Sequence, residues 1–161
     1  MKETIGHFVK ALRLAGVVLD KRRIDIDDLG MPHAPNCLRK GKMAIYTFQF
    51  QGKFLKIGKA GPRSNARFNS QHYGPNRAKS SLAGCLLNDP DMVPYHLDNN
   101  NVGNWIRQNT HRIDILIDQN EDISVLNFLE VFLHCRFHPK YEGFKSQAQT
   151  VGNVIRKRME A

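Results

Sequence analysis

Cysteine is scarce in this chain. Cys37, Cys85 and Cys135 are far apart and odd in number. That excludes a disulfide framework and fits no zinc-knuckle spacing. Free thiols suit a reducing compartment, so a cytoplasmic location is expected. Long apolar runs are missing too. No segment approaches the roughly twenty apolar residues needed to span a bilayer, and no membrane partner is expected. The N-terminal stretch has only a short apolar segment at Leu14–Leu19 and carries Glu3, so it reads as an amphipathic helix rather than a signal peptide. There are no internal repeats and no low-complexity tract. Gly58-Lys59-Ala60-Gly61 lacks the spacing and the serine or threonine of a phosphate-binding glycine loop. Acidic residues are short as well: 15 Asp and Glu face 24 Lys and Arg, a formal charge of +9 over 161 residues. The length is that of one domain with a real core. The charge favours a polyanionic partner, and nucleic acid is the commonest one.

What the chain does contain is ordered. Ile5, Phe8, Val9, Leu12, Leu14 and Val17 follow a nearly helical spacing over residues 3–20. Residues 20–42 mix charges with Gly30, Pro32, Pro35 and Gly41, and read as a connector or basic arm with a short helix near Ile24–Leu29. Ala44–Phe50 alternates, Gln51-Gly52 is a tight turn, and Lys53–Gly58 forms a second strand, the best hairpin signal in the chain. If Leu55 and Ile57 face the core, alternation turns Lys56 outward. Ser64–Gln71 reads as a helix that His72-Tyr73-Gly74-Pro75 stops, and Arg77–Leu87 as a second helix. Asn88–Asn101 is loop-like. Val102–Asn109 is a helix, Arg112–Asp118 a third strand, and Ser124–Phe137 a strong helix capped by Ser124 or Asp122. A basic helix is expected over Ser146–Met159.

Two segments bear chemistry. Phosphodiester hydrolysis needs an activated water, charge neutralisation at phosphorus and help for the leaving oxygen. Carboxylate-held metal ions, arginine, and a nearby tyrosine, histidine or lysine supply these. The first segment holds Tyr46 and Lys56 in the hairpin, then Arg63, Arg67 and His72. The second holds Glu130, an acid within an apolar helix, where burial without a partner is costly. A metal, a structural salt bridge or a solvent-facing position on an amphipathic helix would explain it. Glu130, His134 and His138 recur every four residues and can share a face. Arg39, Lys40 and Lys42 lead into the first strand as candidate phosphate contacts, joined by Lys59, Arg77 and Lys79. Asn99-Asn100-Asn101 and Trp105 are candidates for base or backbone contacts, with Trp105 also read as a core anchor.

The ordered set resembles the GIY-YIG nuclease superfamily over roughly residues 43–145. Ala44-Ile45-Tyr46 matches its first motif. Lys56-Ile57-Gly58 matches the second, in the lysine variant seen in some phage and bacterial branches. Arg67, with Arg63 as the alternative, matches the arginine, His72 the polar partner, and Glu130 within Leu129–Phe137 the metal ligand. Ala44 departs from the motif's glycine and Lys56 from its tyrosine. The interval between arginine and glutamate is long, with an insertion at about 76–110.

The resemblance implies a small α/β (α+β) fold, a three-stranded antiparallel sheet flanked by helices, with an N-terminal helix and arm over 1–42 and a C-terminal helix over 146–161. It implies one Mg²⁺, which Mn²⁺ can replace, held by Glu130. Tyr46 would activate or position water, Arg67 steady the phosphate, and Lys56 and His72 orient water or the leaving group. Arg63 and His134 are alternative site residues. The function expected is a metal-dependent DNA endonuclease of restriction, homing or phage type, in a prokaryotic or phage-infected cell. A palindromic cutter would act as a homodimer. The alternatives are a nucleic-acid-binding protein with weak or lost cleavage, and a protein-binding adaptor or inhibitor.

Overall fold

The computed structural model describes residues 1–75 and 81–141. Arg77, Lys79 and the expected C-terminal helix lie outside them. Chain order is α1 (Lys2–Leu14), β1 (Ile24–Gly30), β2 (Lys42–Phe50), β3 (Lys53–Ala60), α2 (Asn65–Asn69), α3 (Leu82–Leu87), α4 (Val102–Asn109), β4 (His111–Asp118) and α5 (Ile123–Phe137), with short 3₁₀ turns between. Among the described residues, no helix is long and apolar enough to cross a membrane.

The sheet has four strands, not three, in the order β1-β4-β2-β3, every pair antiparallel. The added strand is Ile24–Gly30, where a connector with a short helix was expected. Its three aspartates and glycine disguise it, since these residues are poor strand formers. Ile24 and Ile26 pack on the core from one face. Asp25 and Asp27 meet Arg39 and Lys42, and Asp28 meets His111. Acids on an edge strand also deter pairing with another chain.

The central hairpin turns at Gln51-Gly52, both with positive φ (49° and 75°). A two-residue turn of that hand matches the twist of its strands, and glycine at the second place makes it cheap. Alternation along β2 then divides the interior. Met43 and Ile45 join Ile57, Ile115 and Ile117 beneath α1 and α5, where Phe8, Leu12, Leu126, Leu129 and Leu133 are buried. Ala44, Tyr46 and Phe48 face the opposite way, under Phe68, Leu82, Leu86, Val102 and Ile106 of α2–α4. The candidate site belongs to this second face. Asp122 caps α5 by accepting from the Ser124 amide at 2.7 Å. Left-handed His138 (φ 47°) and then Pro139 end the helix.

Candidate functional site

Tyr46 is the centre of a buried polar cluster. On β2 it pairs with Gly58 of β3 on one side and Asp114 of β4 on the other. Its ring lies across Gly58: a Cβ there would stand 2.5 Å from the Tyr46 hydroxyl. The hydroxyl lies 2.6 Å from His72 Nε2 and accepts from Arg67 Nε at 3.3 Å. Tyr46 and Lys56 are fully buried and His72 nearly so, while Arg67 is exposed. Burial, with the positive charges of Lys56, Arg67 and Arg112, pushes His72 down to about 3. The ring is therefore neutral at physiological pH, and its buried Nδ1 has no hydrogen-bond partner among the described residues. A histidine held that low orients a hydroxyl well and stores a proton badly.

Lys56 lies inside, not in solvent: alternation turns it away from Ile57, but onto the Tyr46 and Phe48 face, which α2–α4 cover. The ladder shifts between Phe48 and Gln49, so Phe48 pairs with Lys56 while Gln49 pairs with Phe54. Leu55 is the extra residue of a β-bulge. Such a bulge re-aims the side chains around it, and Leu55 and Lys56 are both buried.

Arg67 is on α2, which spans only Asn65–Asn69 where Ser64–Gln71 was expected, and Arg63 precedes the helix. Arg63 is exposed. What holds this turn in place went unread in the sequence. Arg112, on β4, is fully buried. Its Nε donates to Asp114 Oδ1 at 2.9 Å, Nη1 to the Tyr73 hydroxyl at 2.8 Å, and Nη2 to the Phe68 carbonyl at 3.0 Å. The Phe68 and Tyr73 contacts fall one residue from Arg67 and one from His72. His33 completes the network: Nδ1 donates to the Thr110 carbonyl at 2.8 Å, leaving Nε2 to accept from Tyr73 at 2.9 Å. Burial holds His33 down at about 4, which keeps that tautomer neutral. Burial also raises the Asp114 carboxyl, with the Arg112 guanidinium opposing. The available signal was Arg112 and Asp114 spaced two apart, alternating with Ile113 and Ile115: two charges on one face of one strand.

Glu130 approaches β3 from the other side of the sheet. Its Oε2 is 2.8 Å from Lys59 Nζ. Lys59 follows Gly58 directly and alternates to the α5 face with Ile57. His134, one turn along α5, donates from Nε2 to the Ile57 carbonyl at 3.1 Å, while His138 caps the helix and is exposed. Among the described residues, no group of three His, Cys, Asp or Glu could hold a metal ion. Glu130 alone suits an ion that keeps most of its waters and takes phosphate oxygens, as Mg²⁺ does. The Lys59 ammonium shows that this carboxylate already holds a cation.

The expected phosphate contacts are unequal. Arg39 pairs with Asp25 and Asp27, Lys42 with Asp25, and Lys59 with Glu130, whereas Lys40 is exposed. Trp105 packs against Phe50 and Tyr95 at ring separations of 5.0 and 5.4 Å. Asn101 is used within its own loop, bonding the His96 carbonyl and the Asp98 amide. No family model matches this chain, and neither does any curated protein or solved structure.

Proposed function

We propose that this chain is a divalent-metal-dependent DNA endonuclease that hydrolyses a phosphodiester bond beside Tyr46 and Arg67. The observation that carries the reading is the convergence on one hydroxyl. Tyr46, His72 and Arg67 come from a strand, a 3₁₀ turn and a helix, and meet within 3.3 Å. Lys56 and Gly58 flank them on β3, and a net charge of +9 suits a polyanion. The ordered resemblance to GIY-YIG nucleases supports the same roles.

Arg67 is the exposed member and meets the phosphate first, gripping two oxygens with its planar guanidinium. In the free protein that side chain also covers the Tyr46 hydroxyl. Turning onto the phosphate uncovers it. His72 Nε2 fixes the direction of the hydroxyl, which then positions the attacking water. The buried Lys56 charge favours negative charge developing nearby. β3 is an edge strand, so a phosphate at that edge is open to both faces; from the α5 face Glu130 would hold Mg²⁺ or Mn²⁺, with Lys59 released to a phosphate oxygen. When bound, the ion neutralises the phosphate oxygens and eases departure of the leaving oxygen.

A second reading has its own observation. Tyr46 and His72 are sealed from solvent and Glu130 is occupied by Lys59. A nucleic-acid-binding protein whose cleavage has been lost would show the same arrangement. Incubating supercoiled and linear DNA with Mg²⁺ or Mn²⁺ separates the two. The nuclease gives discrete products that disappear with Glu130→Ala, Tyr46→Phe and chelator. Tight, salt-dependent binding with no cutting overturns the nuclease in favour of the binding protein.

A further inference from the structure

We infer that a polar cleft beside the His72 turn reads adenine edges in DNA, an inference that rests on the nucleic-acid part of the reading above. The cleft has a volume of about 530 Å³. Asn69 and Ser70 of the α2 end form one wall; Asn99, Asn100, Asn104 and Arg107 form the other. Tyr73, which follows His72, lines it as well. Helix α4 sits hard against that turn, since a Cβ on Gly103 would collide with the Tyr73 carbonyl oxygen. The two walls are therefore held in fixed relation to each other and to the Tyr46 cluster.

The lining chemistry selects the ligand. No carboxylate lines the cleft among the described residues, and Arg107 adds a cation, its guanidinium 4.8 Å above the Tyr73 ring. The neighbouring polar and aromatic groups have structural work: Asn101 ties its loop and Trp105 packs in an aromatic cluster. Asn99, Asn100 and Asn104 do not. Their side chains are exposed and make no hydrogen bond to a described residue. A carboxamide offers a donor and an acceptor side by side. Adenine presents the complement in the major groove, N7 accepting and the N6 amino group donating. Three such carboxamides with an arginine and no acid match a purine edge on a polyanionic strand. They do not match an acidic protein, which would call for several cations.

Binding selection from a random-sequence duplex library in EDTA tests this without relying on cleavage. The intact protein should enrich sites with a fixed adenine. The Asn99→Ala/Asn100→Ala/Asn104→Ala variant should lose that preference by about tenfold or more, the discrimination of one bidentate contact, with an unchanged salt slope. Replacing the fixed adenine with 7-deazaadenine, which lacks N7, should reproduce the loss in the intact protein. All three asparagines are exposed, so matched thermal melts should confirm an intact fold. Enrichment without adenine preference overturns the inference, as does a preference that survives both changes. Absence of DNA binding overturns it together with the proposed function. Selective, asparagine-dependent binding with no cutting in Mg²⁺ would uphold it while removing the nuclease.

Discussion

Gly58→Ala isolates the central contact of the site. The new Cβ would stand 2.5, 2.7 and 2.8 Å from the hydroxyl, Cζ and Cε2 of Tyr46, where ordinary contact begins at 3.4 Å. The ring must retreat by about 1 Å, and it has little room, lying against Phe48, Phe68 and His72. Overpacking costs about 1–3 kcal/mol, and loosening the buried bond to His72 about 1 more. A loss near 3 kcal/mol lowers the melting point by roughly 10 °C in a chain of this size. Cleavage should fall about a hundredfold, as expected of an ångström's misplacement at a reacting group. Urea unfolding checks the stability figure and a double-mutant cycle checks its cause. In a Tyr46→Leu background the clashing ring is gone, so Gly58→Ala should cost under about 1 kcal/mol. A penalty below about 0.5 kcal/mol in the wild type, or one of equal size in both backgrounds, refutes the reasoning.

Four further outcomes are expected. His72 at about 3 and His33 at about 4 are held below the ordinary 6.5, so the unfolded chain binds more protons between those values. Stability is then complete above pH 6.5 and falls on acidification, by up to about 2.7 kcal/mol per pH unit near pH 5; urea midpoints should show it, and His72→Phe should halve the slope. Arg112→Ala leaves Asp114 and Tyr73 buried without their partner and should cost about 3–5 kcal/mol, while Arg112→Met/Asp114→Leu recovers part of it in thermal melts. Lys59→Ala should tighten Mn²⁺ binding measured by electron paramagnetic resonance, because it frees Glu130; unchanged affinity in both Lys59→Ala and Glu130→Ala would remove Glu130 as the ligand. Arg67→Ala should slow cleavage even at saturating DNA, whereas Arg63→Ala should weaken binding and flatten its salt dependence.

The hairpin, the α5 helix and β4 were legible because period-two and helical spacing carry their signal directly. Tyr46, Gly58, Arg67 and His72 were legible as an ordered set, and the fold brings them together. β1 was hidden because its stability comes from partners distant in sequence: Arg39 and Lys42 for its aspartates, and β4 for its backbone. Lys56 was misplaced because alternation gives its side of β3, opposite Ile57, but not the fact that α2–α4 cover that side as well. Arg112 was missed for a related reason. In a strand pattern a buried charge and an exposed one look alike, and only the convergence of Asp114, Tyr73 and Phe68 shows that this guanidinium lies inside.

The buried network also accounts for how a short, polar turn can present chemistry at all. Helix α2 has five residues, too few to hold itself in water. Its sequence buries only Phe68. What fixes Arg67 and His72 is Arg112, which grips the backbone at Phe68 and the side chain at Tyr73, with His33 closing the far end. The same turn supplies Ser70 and Tyr73 to the asparagine cleft. Any base contact made in that cleft is therefore connected, through one buried arginine, to the Tyr46 hydroxyl of the proposed site. Loss of Arg112 should disturb binding preference and cleavage together, whereas loss of the asparagines should disturb preference alone.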